Sequence, residues 1–355
     1  MRIIVALYKV DTQATQNYSV ATRINNVKQA LEVHKSYTES IHTAFWKPEY
    51  SGLRAVFLAP EYCFARSVPQ MHGDHTFGMK RQMEEDYVKD KLRPVFSVLS
   101  QNFKNALIVP GTVAWRKSIV PSSKGKHASI EAAEQYRRDK YEQRIQATAN
   151  INLEYNNNTP FTQNTPVFPT AFKKGDDTRP ALPTAASKVQ ALQTAHYIAK
   201  NTAHCYYNGD CVYKYNKIGD FYEVCEDTTD TVIVPNRASK VSGVTVGAGR
   251  FSVAGLSVGI SICYDQSLSV QQAGPVQVLE PLQQTAVSVD IHILLSAHIP
   301  PALGAANLKP GGVLLSCSSS DTCNGVLAPG AGPFQPDYSQ DINGSTLDIY
   351  QLDWQ

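Results

Sequence analysis

Three side chains able to take part in bond-making chemistry stand at the ends of apolar runs. Glu61 lies in AVFLAPEYCF, Cys263 follows GLSVGISI and precedes Tyr264 and Asp265, and Lys217 lies in VYKYNKIGD. An acid just past a hydrophobic strand and a proline sits where α/β proteins collect functional groups, yet taken alone it also reads as a solvated loop acid. A cysteine after an apolar strand is either an inert core residue or a nucleophile, and a nucleophile requires an electropositive, partly exposed setting. A lone lysine in such a run, with Lys214 nearby, is ordinarily surface decoration. His204, Cys205 and Cys211 invite a metal, but their spacing matches no zinc pattern and no second ligand pair follows.

The elements that must position these residues alternate along the chain. RIIVALY reads as a strand, the stretch from about Ala21 to Phe45 as a helix, LRAVFLAP as a strand, the segment beyond Met83 as a helix, and NALIVPGTV as a strand. Pro94 predicts a kink or a helix start close to it. From Ser118 to about Lys200 the texture changes to loop, charged helix (SIEAAEQYRRDKYEQRIQ) and an Asn-, Thr- and Pro-rich stretch without period, so 118–200 reads as an insertion into one domain spanning 1–355. After it, TAHCYYNGDCVYKYNKIGD reads as a hairpin turning at Asn208-Gly209. VSGVTVGAGRFSVAGLSVGISICYD, VDIHILLSAHIP and GGVLLSCSSS supply further strands, completing an α/β pattern.

Composition narrows the class. With 355 residues, 43% hydrophobic, 18% charged and a formal net charge of +2, the chain is of ordinary globular type and nothing asks for nucleic acid. The opening MRIIVALYKV lacks the features of a cleavable signal and reads as a core strand, and no segment approaches the roughly 20 apolar residues of a membrane span. Seven cysteines, an odd count, fit a reducing compartment, so a cytoplasmic setting is expected, although Cys205/Cys211 and Cys317/Cys323 are close enough to pair. No phosphate-binding glycine pattern follows a strand.

Taken together, the three residues and their surroundings resemble the carbon–nitrogen hydrolase (nitrilase) superfamily, whose chains carry Glu, Lys and Cys in that order at the ends of core strands. A hydrophobic strand ending in Pro-Glu stands here as FLAPEYCF; an N-T-A, an N-G turn and Y-R-K stand as NTAHCYYNGDCVYKYNKIGD; G-hydrophobic-C-Y-D stands as GISICYD. The resemblance covers nearly the whole chain outside 118–200. Departures are Asn216 before the lysine, Gly219-Asp220 after it, and the lack of Pro-Glu and Arg beyond Asp265.

The resemblance implies an α-β-β-α sandwich, two sheets face to face with helices outside, commonly paired into dimers or larger assemblies. It implies Cys263 as nucleophile, Glu61 as general base and acid, and Lys217, in preference to Lys214, as oxyanion donor beside the backbone N–H of Tyr264. No metal or organic cofactor is implied. Tyr62, Trp115, Glu223 and His298 are candidates for the pocket, each also readable as packing or an exposed polar group. The Cys-Tyr-Asp sequence resembles amidase and carbamoylase branches, so the expected substrate is a small amide or ureido compound in preference to a nitrile. Two rivals stand beside this reading: an inactive nitrilase-fold binding protein using the insertion as its contact surface, and acyl transfer to an amine in place of water.

Overall fold

The computed structural model describes residues 2–12, 14–15, 18–42, 52–65, 83–147, 151–152, 185–217, 230–234, 238–241, 244–247, 249–267, 269–271, 279–281, 288–297 and 299–353. The first half runs β1 (Arg2–Lys9), α1 (Val20–His42), β2 (Ala55–Leu58), β3 (Met83–Glu84), α2 (Glu85–Tyr87), a π-helical turn (Val88–Leu92), α3 (Arg93–Asn102), β4 (Ala106–Val109) and β5 (Thr112–Ser118). Then come α4 (Ile130–Ala147), β6 (Ile151–Asn152), α5 (Ala185–Thr194), β7 (Tyr197–Tyr207), β8 (Asp210–Asn216), β9 (Thr231–Ile233), β10 (Ala238–Val241) and β11 (Val244–Gly247). The last part is β12 (Arg250–Val253), β13 (Leu256–Ile262), a 3-10 turn (Cys263–Ser267), β14 (Ser269–Gln271), β15 (Leu279–Pro281), β16 (Val289–Ser296), β17 (Leu308–Ser318), β18 (Gly325–Leu327), β19 (Tyr338–Ile342) and β20 (Ser345–Asp353).

Two sheets meet face to face. The larger has the order β19-β20-β1-β2-β4-β7-β5-β3, with β8 and β9 also on β7; the smaller is β12-β13-β16-β17-β18. Alternation along β1 explains the layering. Ile3, Val5 and Leu7 point into one core with Val258, Ile260, Ile262, Ile291, Ile293 and Leu295 of the second sheet, while Ile4, Ala6 and Tyr8 point into another with Val27 and Leu31 of α1 and Phe96 of α3. A strand buried on both faces must be apolar at every position, which is why RIIVALY carries no alternation. The chain is therefore the mixed α/β fold that the sequence pattern gives, arranged as the two-sheet sandwich that the resemblance implies. On the outer face of the second sheet, among the described residues, Leu303 and Ala306 from the 3-10 turn region pack on Leu294 and Leu314.

Ser19 caps α1 by accepting the Thr22 N–H at 3.0 Å, and α1 ends at His42. Pro94 sits in the first turn of α3, directly after the π-helical turn, so the run of helical bonds is interrupted where the pitch changes; the kink or helix start expected near it is this change of helical pitch. Asn208 (φ 51°) and Gly209 (φ 96°) take the left-handed pair of angles that a two-residue hairpin turn demands, as the sequence predicts.

The stretch read as an insertion at about 118–200 has both its ends on the large sheet. β5 ends at Ser118 and β7 already starts at Tyr197, paired to it, so the last residues of the expected stretch belong to the large sheet. Helices α4 and α5 pack on one another around Ile119, Tyr141, Ile145, Leu192, Ile198 and Val232. Their root is seven β5 residues from Thr112, about 20 Å at the rise of a strand. Between α4 and α5, β6 pairs with β14 just after the 3-10 turn at Cys263. Cys205, Cys211, Cys317 and Cys323 are free thiols. Among the described residues, no helix is long and apolar enough to cross a membrane.

Candidate active site

The Glu61 turn is laced into a break in the large sheet. β4 and β5 both run antiparallel to β7, and between them Pro110-Gly111 interrupts the strand. Into this break the preceding turn donates and accepts: Ala59 N–H to Val109 O (3.0 Å), Thr112 N–H to Pro60 O (3.2 Å), Phe64 N–H to Thr112 O (3.1 Å) and Tyr62 N–H to Thr112 Oγ1 (2.8 Å). Gly111 has φ 91°, and a Cβ there would lie 2.5 Å from both Pro60 O and Cys63 Cβ, so only glycine allows this contact. Buried Arg23 of α1 clamps the other side, donating to the carbonyls of Tyr62 (3.4 Å), Cys63 (3.0 Å) and Thr15 (2.8 Å). Tyr62 itself has φ 58°, an uncommon conformation for a bulky residue that persists because so many bonds hold the turn.

These contacts drive the Glu61 carboxylate into the interior, where its exposure is 0%. Lys217, 2% exposed at the end of β8, donates from Nζ to Glu61 Oε1 at 2.8 Å. Asn201 of β7 donates from Nδ2 to the same oxygen, also at 2.8 Å, and its backbone carbonyl accepts the Lys217 N–H at 2.8 Å. Glu61 Oε2 and Asn201 Oδ1 are buried and accept no hydrogen bond from any described residue. Burying an ion pair is costly unless its geometry is good and its polar atoms are satisfied, and here two acceptors at one place lack a donor among the described residues. Lys214, by contrast, lies on the exposed side of β8 opposite His204. The Tyr62 ring packs 5.8 Å from the Lys217 ammonium.

Cys263 lies where β13 leaves the second sheet. Ile262 is registered with Leu295, and the following Ser296 carbonyl accepts the Glu61 N–H at 3.4 Å, which ties the Glu61 turn to the strand end beside Cys263. Cys263 is 5% exposed with φ 53°, a left-handed turn that lifts the residue out of the strand's path into the 3-10 turn containing Tyr264. Asp265 in this turn, fully buried, accepts from Tyr215 Oη at 2.8 Å, and Tyr215 lies two residues before Lys217. Burial first, and the facing carboxylate second, push the Tyr215 hydroxyl well above its ordinary pKa, keeping it a donor. The thiol turn and the lysine strand are thereby joined through the inter-sheet core.

The structure thus brings Glu61, Lys217 and Tyr62 into contact and sets the Cys263 turn at the adjoining strand end. It puts Trp115 elsewhere: its indole donates to Thr202 Oγ1 at 2.8 Å and packs with the helix-side core, whereas Tyr62 packs with Ala114, Ala199 and Ala297. Neighbouring residues of one strand face opposite ways, which separates Trp115 from Ala114. Glu223 and His298 lie outside the described residues. Sequence reasoning passed over Asn201 and Asp265, although both stand inside the motifs NTAHCYYNGDC and GISICYD; no local signal distinguishes an asparagine aimed at a buried acid from one paired along a strand. Among the described residues no group of three or more His, Cys, Asp or Glu side chains could hold a metal ion.

No family model matches the chain, and no curated protein matches it. Among solved structures, an amidase from the nitrilase superfamily of Nesterenkonia AN1 is similar to it at 8% identity, over 99% of this chain and 90% of that one, with a TM-score of 0.38. Glutamine-dependent NAD(+) synthetases from Cytophaga hutchinsonii and Acinetobacter baumannii are similar at 10% and 11% identity. They align over 99% of this chain and 43% and 46% of their own, with TM-scores of 0.40 and 0.36.

Proposed function

We propose that this protein is a carbon–nitrogen hydrolase of nitrilase type that cleaves a small amide or ureido compound through a thioester on Cys263. The observation that carries the reading is the buried Lys217–Glu61 pair, with Oε1 holding the ammonium and Oε2 left bare, at the strand end next to a cysteine in a left-handed turn. A free thiol has a pKa of about 8.5, so attack at neutral pH needs a base or a cation close by, and Glu61 and Lys217 are one of each.

In this mechanism Glu61 takes the Cys263 proton as sulfur attacks the carbonyl carbon. The oxyanion that develops is met by Lys217, which has N–H groups beyond the one given to Glu61, and by the Tyr264 backbone N–H. Glu61 then passes the proton to the departing nitrogen, ammonia or an amine leaves, and a thioester remains. Water, giving its proton to Glu61, attacks the thioester; carbon–sulfur cleavage frees the acid and the thiol recovers its proton. Two bare acceptors, Glu61 Oε2 and Asn201 Oδ1, suit a nitrogen that bears hydrogens, as an amide or ureido nitrogen does and a nitrile nitrogen does not. Acyl transfer to an amine uses the same first half and differs only in the second acceptor.

The test needs no known substrate. A limiting dose of iodoacetamide at neutral pH, followed by site-resolved mass spectrometry, should label Cys263 well ahead of the other six cysteines. Four of the six are poor competitors: burial pushes the thiols of Cys205 and Cys317 well above their ordinary pKa, and those of Cys211 and Cys323 upward. A panel of primary amides and ureido compounds is then assayed for ammonia release. Cys263 labelling no faster than the rest, with no ammonia from any of them, sinks the proposal.

A further inference from the structure

We infer that Asn201 is a positioning residue for Glu61: with Lys217 it saturates Oε1, fixing the carboxylate plane so that Oε2 remains the one oxygen free to take the thiol proton. The inference rests on the hydrolase reading and adds to it a residue that the three-residue scheme leaves out.

A carboxylate oxygen can accept from two directions, and both donors to Oε1 are buried side chains at 2.8 Å. They come from neighbouring strands, β7 and β8, whose register is locked here by the Lys217 N–H to Asn201 O bond of 2.8 Å. The two donors therefore cannot drift apart without breaking the sheet. Asn201 lies on the face of β7 shared by Ala199 and Ala203, of which Ala203 packs in the same inter-sheet core as Cys263. Its exposure is 0%, so water does not substitute for its amide without a structural change.

A general base with two equivalent oxygens can turn about its last torsion, and each orientation that aims the wrong lone pair at the thiol lowers the fraction of productive encounters. Lys217 alone holds one point and leaves that rotation open, because an ammonium is a point charge with rotatable donors. A second donor on the same oxygen, from a planar amide fixed in a strand, removes it. The Oε2 atom, which accepts from no described residue, is the oxygen left to take that proton.

The rate of Cys263 alkylation by iodoacetamide, followed from pH 5 to 10 by mass spectrometry in the full chain, tests this. In the wild type the rate should already be high at neutral pH, and Glu61→Gln should move its pH midpoint upward toward that of an ordinary thiol. Asn201→Leu, close in size and without a donor, should move the midpoint in the same direction and slow alkylation at neutral pH by roughly tenfold. Asn201→Ala, which leaves room instead of bulk, should do the same; thermal unfolding of both variants reports any purely structural loss separately. If Glu61→Gln shifts the profile and both Asn201 variants keep the wild-type profile, the positioning role is overturned while the hydrolase reading stands. A wild-type Cys263 that reacts no faster than the other thiols, unchanged by Glu61→Gln, overturns the hydrolase reading and this inference with it.

Discussion

At the scale of single residues, the decisive feature is a charge pair taken out of water. Removing one partner of a buried pair leaves the other uncompensated, at a cost of about 3–5 kcal/mol. Lys217→Ala is therefore expected to lose both activity and stability, whereas Lys217→Met together with Glu61→Gln, which leaves no buried charge, should recover much of the unfolding temperature and none of the turnover. Calorimetry and an ammonia-release assay on the single and double variants separate the two effects; a double variant as unstable as Lys217→Ala contradicts the pairing. Cys263→Ala should abolish turnover at a modest stability cost of about 1 kcal/mol, since it removes one buried sulfur from the inter-sheet core. Lys214→Ala should leave both nearly unchanged.

At the scale of elements, the Pro110-Gly111 break and the Tyr215–Asp265 bond do the positioning. Gly111→Ala forces a Cβ to within 2.5 Å of Pro60 O at a φ of 91°. Backbone cannot yield there without moving the Glu61 turn, so the variant should lose more than about 1 kcal/mol and most of its turnover, read by urea unfolding and rate together. Tyr215→Phe takes a donor from buried Asp265, at a cost of about 1–3 kcal/mol. Because that bond joins the lysine strand to the thiol turn, alkylation of Cys263 should slow as well; a variant that is destabilised yet alkylates at the wild-type rate would show the bond to be structural only. Helices α4 and α5 are rooted about 20 Å along β5 from the Glu61 turn, while β6 pairs with β14, the strand that follows the thiol turn.

Across the whole molecule, stability should fall with acid before most carboxylates titrate. Burial lowers His34 and His204 to about 3 and His292 to about 4. In the unfolded chain each takes up a proton near pH 6.5, and in the folded chain it does not, so below that value the unfolded state binds more protons and is favoured. The folded state is thus least penalised above pH 6.5 and loses up to about 1.4 kcal/mol per pH unit for each histidine as pH falls toward 4. Unfolding temperatures measured from pH 7.5 to 4.5 should drop steeply, and His34→Gln should flatten the drop; a flat profile in the wild type contradicts the burial of these rings. The C-terminal hairpin of β19 and β20 matters on the same scale: β20 pairs with β1 along its whole length, so deleting it strips a neighbour from a strand buried on both faces.

What the sequence by itself determined was where the main apolar core strands lie and which chemical groups stand at their ends: FLAPEYCF, VYKYNK and GISICYD are local patterns, and apolar period, proline and turn residues act locally. It also carried an overlooked signal, Asn343-Gly344 between two alternating runs, for the β19–β20 hairpin. The motif resemblance already preferred Lys217 to Lys214; the tertiary structure supplies the reason, since the side to which a residue points follows from strand register, and it is Lys217 that meets Glu61. The tertiary structure alone drew Asn201, 140 residues distant, onto the same carboxylate, and turned Trp115 toward the helices. Contacts of that separation are fixed by how two sheets pack, which no local pattern of residues encodes.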